Sequence, residues 1–124
     1  MRILVAEENA TSRDGALAAL CAAGHAVVAA AGGLEAWIAS QSERFDVAFV
    51  SLTLPDLDGL ALASLWRQEP LQSPRALVMM GEPPAAGQQR LWSELCRLAP
   101  APEILTRPFV PALLADVAEV AGHG

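Results

Sequence analysis

The sequence contains no lysine and no tyrosine, and its eight basic residues are all arginines, at positions 2, 13, 44, 67, 75, 90, 97 and 107. No ammonium side chain is available for any chemistry, and the planar guanidinium fork does not replace one. Aromatic residues make up only 5% of a chain that is 53% hydrophobic, so alanine, leucine and valine supply most of the apolar surface. That composition suits sheets packed under small-residue helices. The two cysteines, Cys21 and Cys96, lack metal-ligand spacing. Both fall in helix-like apolar patterns and read as buried small side chains in a reducing compartment, not as a disulfide. No window approaches the roughly 20 uninterrupted apolar residues of a spanning helix. The opening MRILVAEE lacks the apolar core of a secretory signal. A soluble, cytoplasmic protein is expected.

Positive charge is scarce as well. The formal net charge is -6, so the summed field repels a phosphate backbone or an anionic lipid surface. Neither nucleic acid nor membrane is an expected partner. The 124 residues carry no low-complexity linker and no internal repeat, and a chain of this length buries roughly two thirds of its unfolded surface around one core. One domain over residues 1–124 is expected.

What is present is a rhythm. Short apolar runs without alternation recur at 3–6 (ILVA), 26–31 (AVVAAA), 47–51 (VAFVS), 76–80 (ALVMM) and 103–106 (EILT), with helical spacing between them. That is a βα repeat, and unalternated strands imply a parallel sheet covered on both faces by crossover helices. Asn9 or Thr11 caps the first helix, with Leu17, Leu20 and Cys21 as its stripe and Gly24 as its stop at positive φ. Gly32 and Gly33 open the second, with Leu34, Trp37 and Ile38 as the buried stripe. Asp58 caps the third, over Leu60–Trp66. The fourth runs from Ala85 to Leu98, and Pro111 opens a fifth whose stripe is Leu113, Leu114, Val117 and Val120. Asp56 reads as a cap or a solvated loop charge, and the three tryptophans as partly buried packing. In such a sheet, ligands collect at the carboxyl ends of the strands. Those ends hold Glu7, Glu8, Ser51, Met80, Gly81 and Arg107.

The segments ILVAEEN at 3–9, SLTLPDLDGL at 51–60 and LTRPF at 105–109, with AGHAVVAAAGGLEA between the first two, come in the order and at the distances of a known family. Over essentially the whole chain the sequence resembles the receiver domain of two-component response regulators. The resemblance implies an α/β fold with a doubly wound, five-stranded parallel sheet of flavodoxin-like type, strand order 2-1-3-4-5 and five helices. It also implies a chemistry: a carboxylate nucleophile, an acidic pair holding a divalent cation, a hydroxyl on strand four and a lysine on strand five.

Here those roles fall on different residues. Ser51 stands at the nucleophile position, Met80 at the hydroxyl, Arg107 at the lysine, Glu7 and Glu8 at the acidic pair, and Ile104 at the switch aromatic. A serine without a base is a poor nucleophile and adds no charge to a magnesium site. The expectation is therefore a degenerate phosphoacceptor pocket, weak metal binding at most through Glu7 and Glu8, no cofactor, no enzymatic activity and an Arg107 ion pair with Glu7 or Glu8. The functional expectation is a phosphorylation-independent pseudo-receiver from a hybrid histidine kinase or multidomain regulator. Its partners would be a histidine kinase core, a neighbouring receiver or an effector domain, or a second copy through the helix four to helix five face. Two alternatives stand beside it. One is a cyclic-dinucleotide sensor using Arg75, Arg90 and Arg97 with Arg107; the other is a conventional phosphorelay receiver. His25 and His123 lack a partner histidine and are not expected to relay phosphate.

Overall fold

The computed structural model describes residues 1–82, 90, 93–94, 97, 103–107 and 109–123. Five strands, β1 (Arg2–Ala6), β2 (Ala26–Ala30), β3 (Val47–Ser51), β4 (Ala76–Gly81) and β5 (Glu103–Thr106), form one parallel sheet in the order β2-β1-β3-β4-β5. This is the expected flavodoxin-like topology. Four helices are described: α1 (Ala10–Ala22), α2 (Gly33–Ser42), α3 (Gly59–Gln68) and α4 (Ala112–His123). The predicted fourth helix, with Leu91, Trp92, Leu95, Cys96 and Leu98, lies outside the described residues apart from Arg90, Ser93 and Glu94, which are helical, and Arg97, which is in a turn. The predicted fifth helix is α4.

Alternate residues of the inner strands feed two cores. Leu4, Ala6, Ala48, Val50 and Met79 face α2 and α3, while Ile3, Val5, Val47, Phe49, Val78 and Met80 face α1 and α4. β3 is buried at all five positions, as its unalternated run predicted. β2 is not. Ala26 and Val28 are exposed because the strand lies at the sheet edge, where no neighbour covers its outer side.

Several predicted stripes are corrected in the same way. On α2 the buried residues are Gly33, Ala36 and Ser40, whereas Leu34 and Ile38 are 52% and 57% exposed and Trp37 is half-buried. Close approach of α2 to the loop before α3 leaves room only for small residues on the inner face. α1 turns Ala16 and Leu20 inward, and Cys21, expected to be buried, is exposed. On α4 Leu114 and Ala118 are buried, while Leu113 and Val120 reach solvent. Trp66 is fully buried rather than partly so.

The punctuation reads as expected. The Asn9 side chain accepts from Ser12 N at 2.9 Å, and the Asp58 carboxylate from Ala61 N at 2.8 Å. Gly24 adopts φ 92°, a conformation open to glycine at little cost. Asp56 does more than its neighbours suggested. Its carboxylate accepts from Leu57 N at 2.8 Å and, across the gap to α2, from Gly33 N at 2.9 Å and Leu34 N at 3.4 Å. The Leu57 and Gly33 amides hold this carboxyl below its ordinary value of 3.8. Its folded pKa is depressed, so its contribution to stability is present above that ordinary value and is lost as pH falls through the folded value. Asp56→Asn is expected to flatten the acid limb of a stability-against-pH curve and to leave its shape above pH 5 unchanged, measured by urea unfolding at each pH.

Trp66 packs in the α2–α3 core with its Nε1 donating to Ser40 Oγ at 2.9 Å; that hydroxyl in turn donates to Trp37 O at 2.6 Å. Ser40→Ala strands the buried indole N–H, a loss of about 1.5 kcal/mol. Denaturant titration should show the loss shrinking in the double variant Ser40→Ala/Trp66→Phe relative to the sum of the two single changes.

Candidate functional site

Strand register brings the chain's chemistry to one edge. Ala6 lies beside Val50, Ser51 beside Met80 and Gly81 beside Thr106, so Glu7, Ser51, Glu82 and Arg107 all emerge where the strands end. Backbone bonds fix the emerging segments: Glu7 N donates to Ala30 O at 3.0 Å, Leu52 N to Met80 O at 2.8 Å, and Arg107 N to Gly81 O at 2.8 Å.

Arg107 reaches back across the strand ends, and its Nη2 donates to Glu7 Oε2. Glu7 is the buried partner, its side chain 5% exposed against 22% for Arg107. The other carboxylate oxygen, Oε1, accepts from Asn9 N at 3.1 Å. A nearly buried carboxylate is tolerable only when paired and hydrogen-bonded in this way. Arg107 Nη1 also lies 4.0 Å from Glu82 Oε1. The predicted ion pair is thus formed, and by Glu7; Glu8 points to solvent.

Ser51 is 1% exposed and its hydroxyl donates to Thr53 O at 3.2 Å. Between α1, α4 and the strand ends lies a cavity of about 330 Å³. Met80, Glu7 and Arg107 line it; Ser51 and Glu8 do not. Of the five residues predicted to share one pocket, the structure therefore gathers three. Ile104 is half-buried on β5. Sequence reasoning passed over Glu82, one residue beyond the strand-four end it inspected, and Arg13. The Arg13 Nη1 donates to Glu7 O at 2.9 Å and Glu8 O at 3.3 Å, holding the β1–α1 loop from the helix side.

Arg75 stands apart from the Arg107 end of the predicted arginine cluster. Arg75 precedes β4 and lies 3.8 Å from Asp46, at the sheet end opposite Arg107. A six-residue strand at about 3.3 Å per residue separates the two ends by roughly 20 Å. Arg90 pairs with Glu94 at 3.4 Å on the solvent side, and Arg97 is exposed. His25 is held by structure: Nδ1 lies 3.1 Å from the Met1 amine and Nε2 3.5 Å from Glu119 Oε1. For His123 only the backbone is described.

The residues at the strand ends do not fit a divalent cation. Hard cations take several oxygen ligands, with charge from more than one carboxylate. Glu7 has both oxygens committed, Glu8 faces away, and Ser51 offers a hydroxyl already donating to the backbone. Among the described residues no group of three His, Cys, Asp or Glu side chains stands close enough to hold a metal.

Comparison with solved structures gives the fold a name. The structure superposes on the Vibrio cholerae chemotaxis protein CheY4 with a TM-score of 0.81, at 22% identity over 97% of both chains. The signal receiver domain of a signal transduction histidine kinase from Syntrophus aciditrophicus gives 0.85, at 20% identity over 99% of this chain and 90% of that one. In sequence, 74 residues, 60% of this chain, are 40% identical to the virulence transcriptional regulatory protein PhoP of Salmonella typhimurium, covering 33% of it. The chain has the CheY-like receiver fold. The PhoP of Shigella flexneri extends the likeness to 111 residues at 32% identity, 88% of this chain and 46% of that protein. The chain thus spans less than half the length of these curated relatives. No family model matches it. No described helix of this chain is long and apolar enough to cross a membrane.

Proposed function

We propose that this receiver is a phosphorylation-independent signalling module, one unit over residues 1–124, that regulates by protein–protein interaction within a hybrid histidine kinase or a multidomain response regulator. The observation that carries the reading is the Glu7–Arg107 pair. It commits the acidic residue that a metal would need to an internal cation, beside a serine that has no general base. The buried Glu7 carboxylate is thereby neutralised from within the chain, without a bound cation. The partners proposed are a histidine kinase core, a neighbouring receiver or an effector domain. The exposed Val110, Leu113 and Val120 at and before α4 support an interaction surface on that side, including one for a second copy.

The test is incubation with a small-molecule phosphodonor and magnesium, followed by intact mass. The expected result is no stable gain of a phosphoryl group; such a gain would establish the conventional phosphorelay reading instead. Ser51→Asp alone is expected to leave the outcome unchanged, because the new carboxylate enters a position only 1% exposed while Glu7 is already committed to Arg107 at the lysine position. Robust magnesium-dependent phosphorylation of that variant would overturn the claim that the whole layer, and not one residue, has changed.

A further inference from the structure

We propose that the cavity between α1, α4 and the end of β4 is a binding site for small organic monocations that carry an apolar body of about one ring and an ammonium head. Its walls are hydrocarbon: Val5, Ala16, Met80, Phe109 and Leu114 contribute from the sheet, both helices and the segment between β5 and α4. At about 330 Å³ it lies at the small end of ligand pockets, which run from roughly 300 to 1,000 Å³. A single ring with a short chain fits that space.

The mouth sets the sign of the head group. Glu7, Glu82 and Arg107 all line the cavity, so two carboxylates share one guanidinium and a negative charge is left over. Glu7 is satisfied by Arg107 and Asn9, whereas the Glu82 side chain is 71% exposed and 4.0 Å from the nearest guanidinium nitrogen. The excess charge therefore resides on Glu82, at the opening. An anionic head would have to break the Glu7–Arg107 pair and sit against two carboxylates. The formal charge of -6 over the whole chain favours a cation further. Ser51 has no part in this site, so the inference is independent of whether the receiver accepts phosphate.

Phenethylamine is the probe, with 2-phenylethanol and phenylacetate as neutral and anionic matches of the same shape. Each is titrated into the whole chain at low salt, without magnesium or phosphodonor, and followed by the methyl resonances of Val5, Ala16, Met80 and Leu114. The amine is expected to saturate these shifts and to bind on the order of fivefold more tightly than the alcohol, as one partly exposed ion pair supplies. Added salt should close that gap. Glu82→Gln, at an exposed position, should bring amine affinity down to the alcohol's and leave the alcohol's unchanged. Ala16→Leu should fill the cavity and abolish both; should it not fold, Glu82→Gln still decides. Equal amine affinity in Glu82→Gln and the parent, tighter binding of phenylacetate than of the amine, or no saturable shift of these methyls would each overturn the proposal.

Discussion

Arg107→Met is expected to destabilise the protein by about 3 kcal/mol, because removing one partner of a buried pair leaves the other charge unpaired. The asymmetry of burial sets the direction. Glu7, 5% exposed, cannot reach water, whereas Arg107, 22% exposed, partly can and has Glu82 nearby. Glu7→Gln is therefore expected to cost less, about 1 to 2 kcal/mol. The double variant Glu7→Gln/Arg107→Met should be more stable than Arg107→Met alone, since neither charge is then stranded. Urea unfolding of all four proteins gives the coupling, expected at about 2 kcal/mol. A coupling near zero would mean that other donors, beginning with Asn9 N, suffice for Glu7.

That pair was legible in the sequence because motif order placed Glu7, Glu8 and Arg107 at the same, carboxyl end of the sheet, and a guanidinium reaching two acids there has few other uses. Which glutamate it would choose was not legible. The choice depends on the β1–α1 loop, which Arg13 and Asn9 hold so that Glu7 turns in and Glu8 out. The strands show the same division. VAFVS and AVVAA look alike as apolar runs, yet β3 is buried throughout and β2 is half open. Composition reports that a strand is apolar; its place in the sheet is set by the crossovers, which no single segment records. On α2 the error ran through size. Leu34 and Ile38 are the residues a stripe-finding rule selects, but the inner face is determined by how near the helix comes to its neighbour, and a close approach favours Gly33 and Ala36. Asp56 likewise read as a local loop charge because its partners Gly33 and Leu34 are more than 20 positions away in sequence.

Gly33 is where that close approach can be tested, and Gly33→Ala is expected to cost about 3 kcal/mol. A Cβ there would lie 1.9 Å from Leu57 O and 2.8 Å from both Leu57 C and Leu57 Cβ. The obstacle is backbone, so no side-chain rotation relieves it. Overpacking of this kind costs about 1 to 3 kcal/mol, and the Leu57 carbonyl cannot retreat without drawing Asp56 off the amides of Gly33 and Leu34. For a domain of this size the thermal midpoint should fall by roughly 10 °C. Two other glycines separate the steric cause from the conformational one. Gly24, at φ 92° and with open space for 4 Å around the position of an added Cβ, should lose only about 1 kcal/mol on replacement by alanine, through backbone strain. Gly15 lies inside α1 at negative φ, and a Cβ there would be 3.4 Å from the Pro111 ring. Gly15→Ala should gain up to about 1 kcal/mol of helix propensity less whatever that contact takes back. The expected order of midpoints is Gly15→Ala, then Gly24→Ala, then Gly33→Ala well below both. A Gly33→Ala variant as stable as Gly24→Ala would show that the loop from Pro55 to Asp58 moves freely. In that case the tight α2 contact would not be what leaves Leu34 and Ile38 facing solvent.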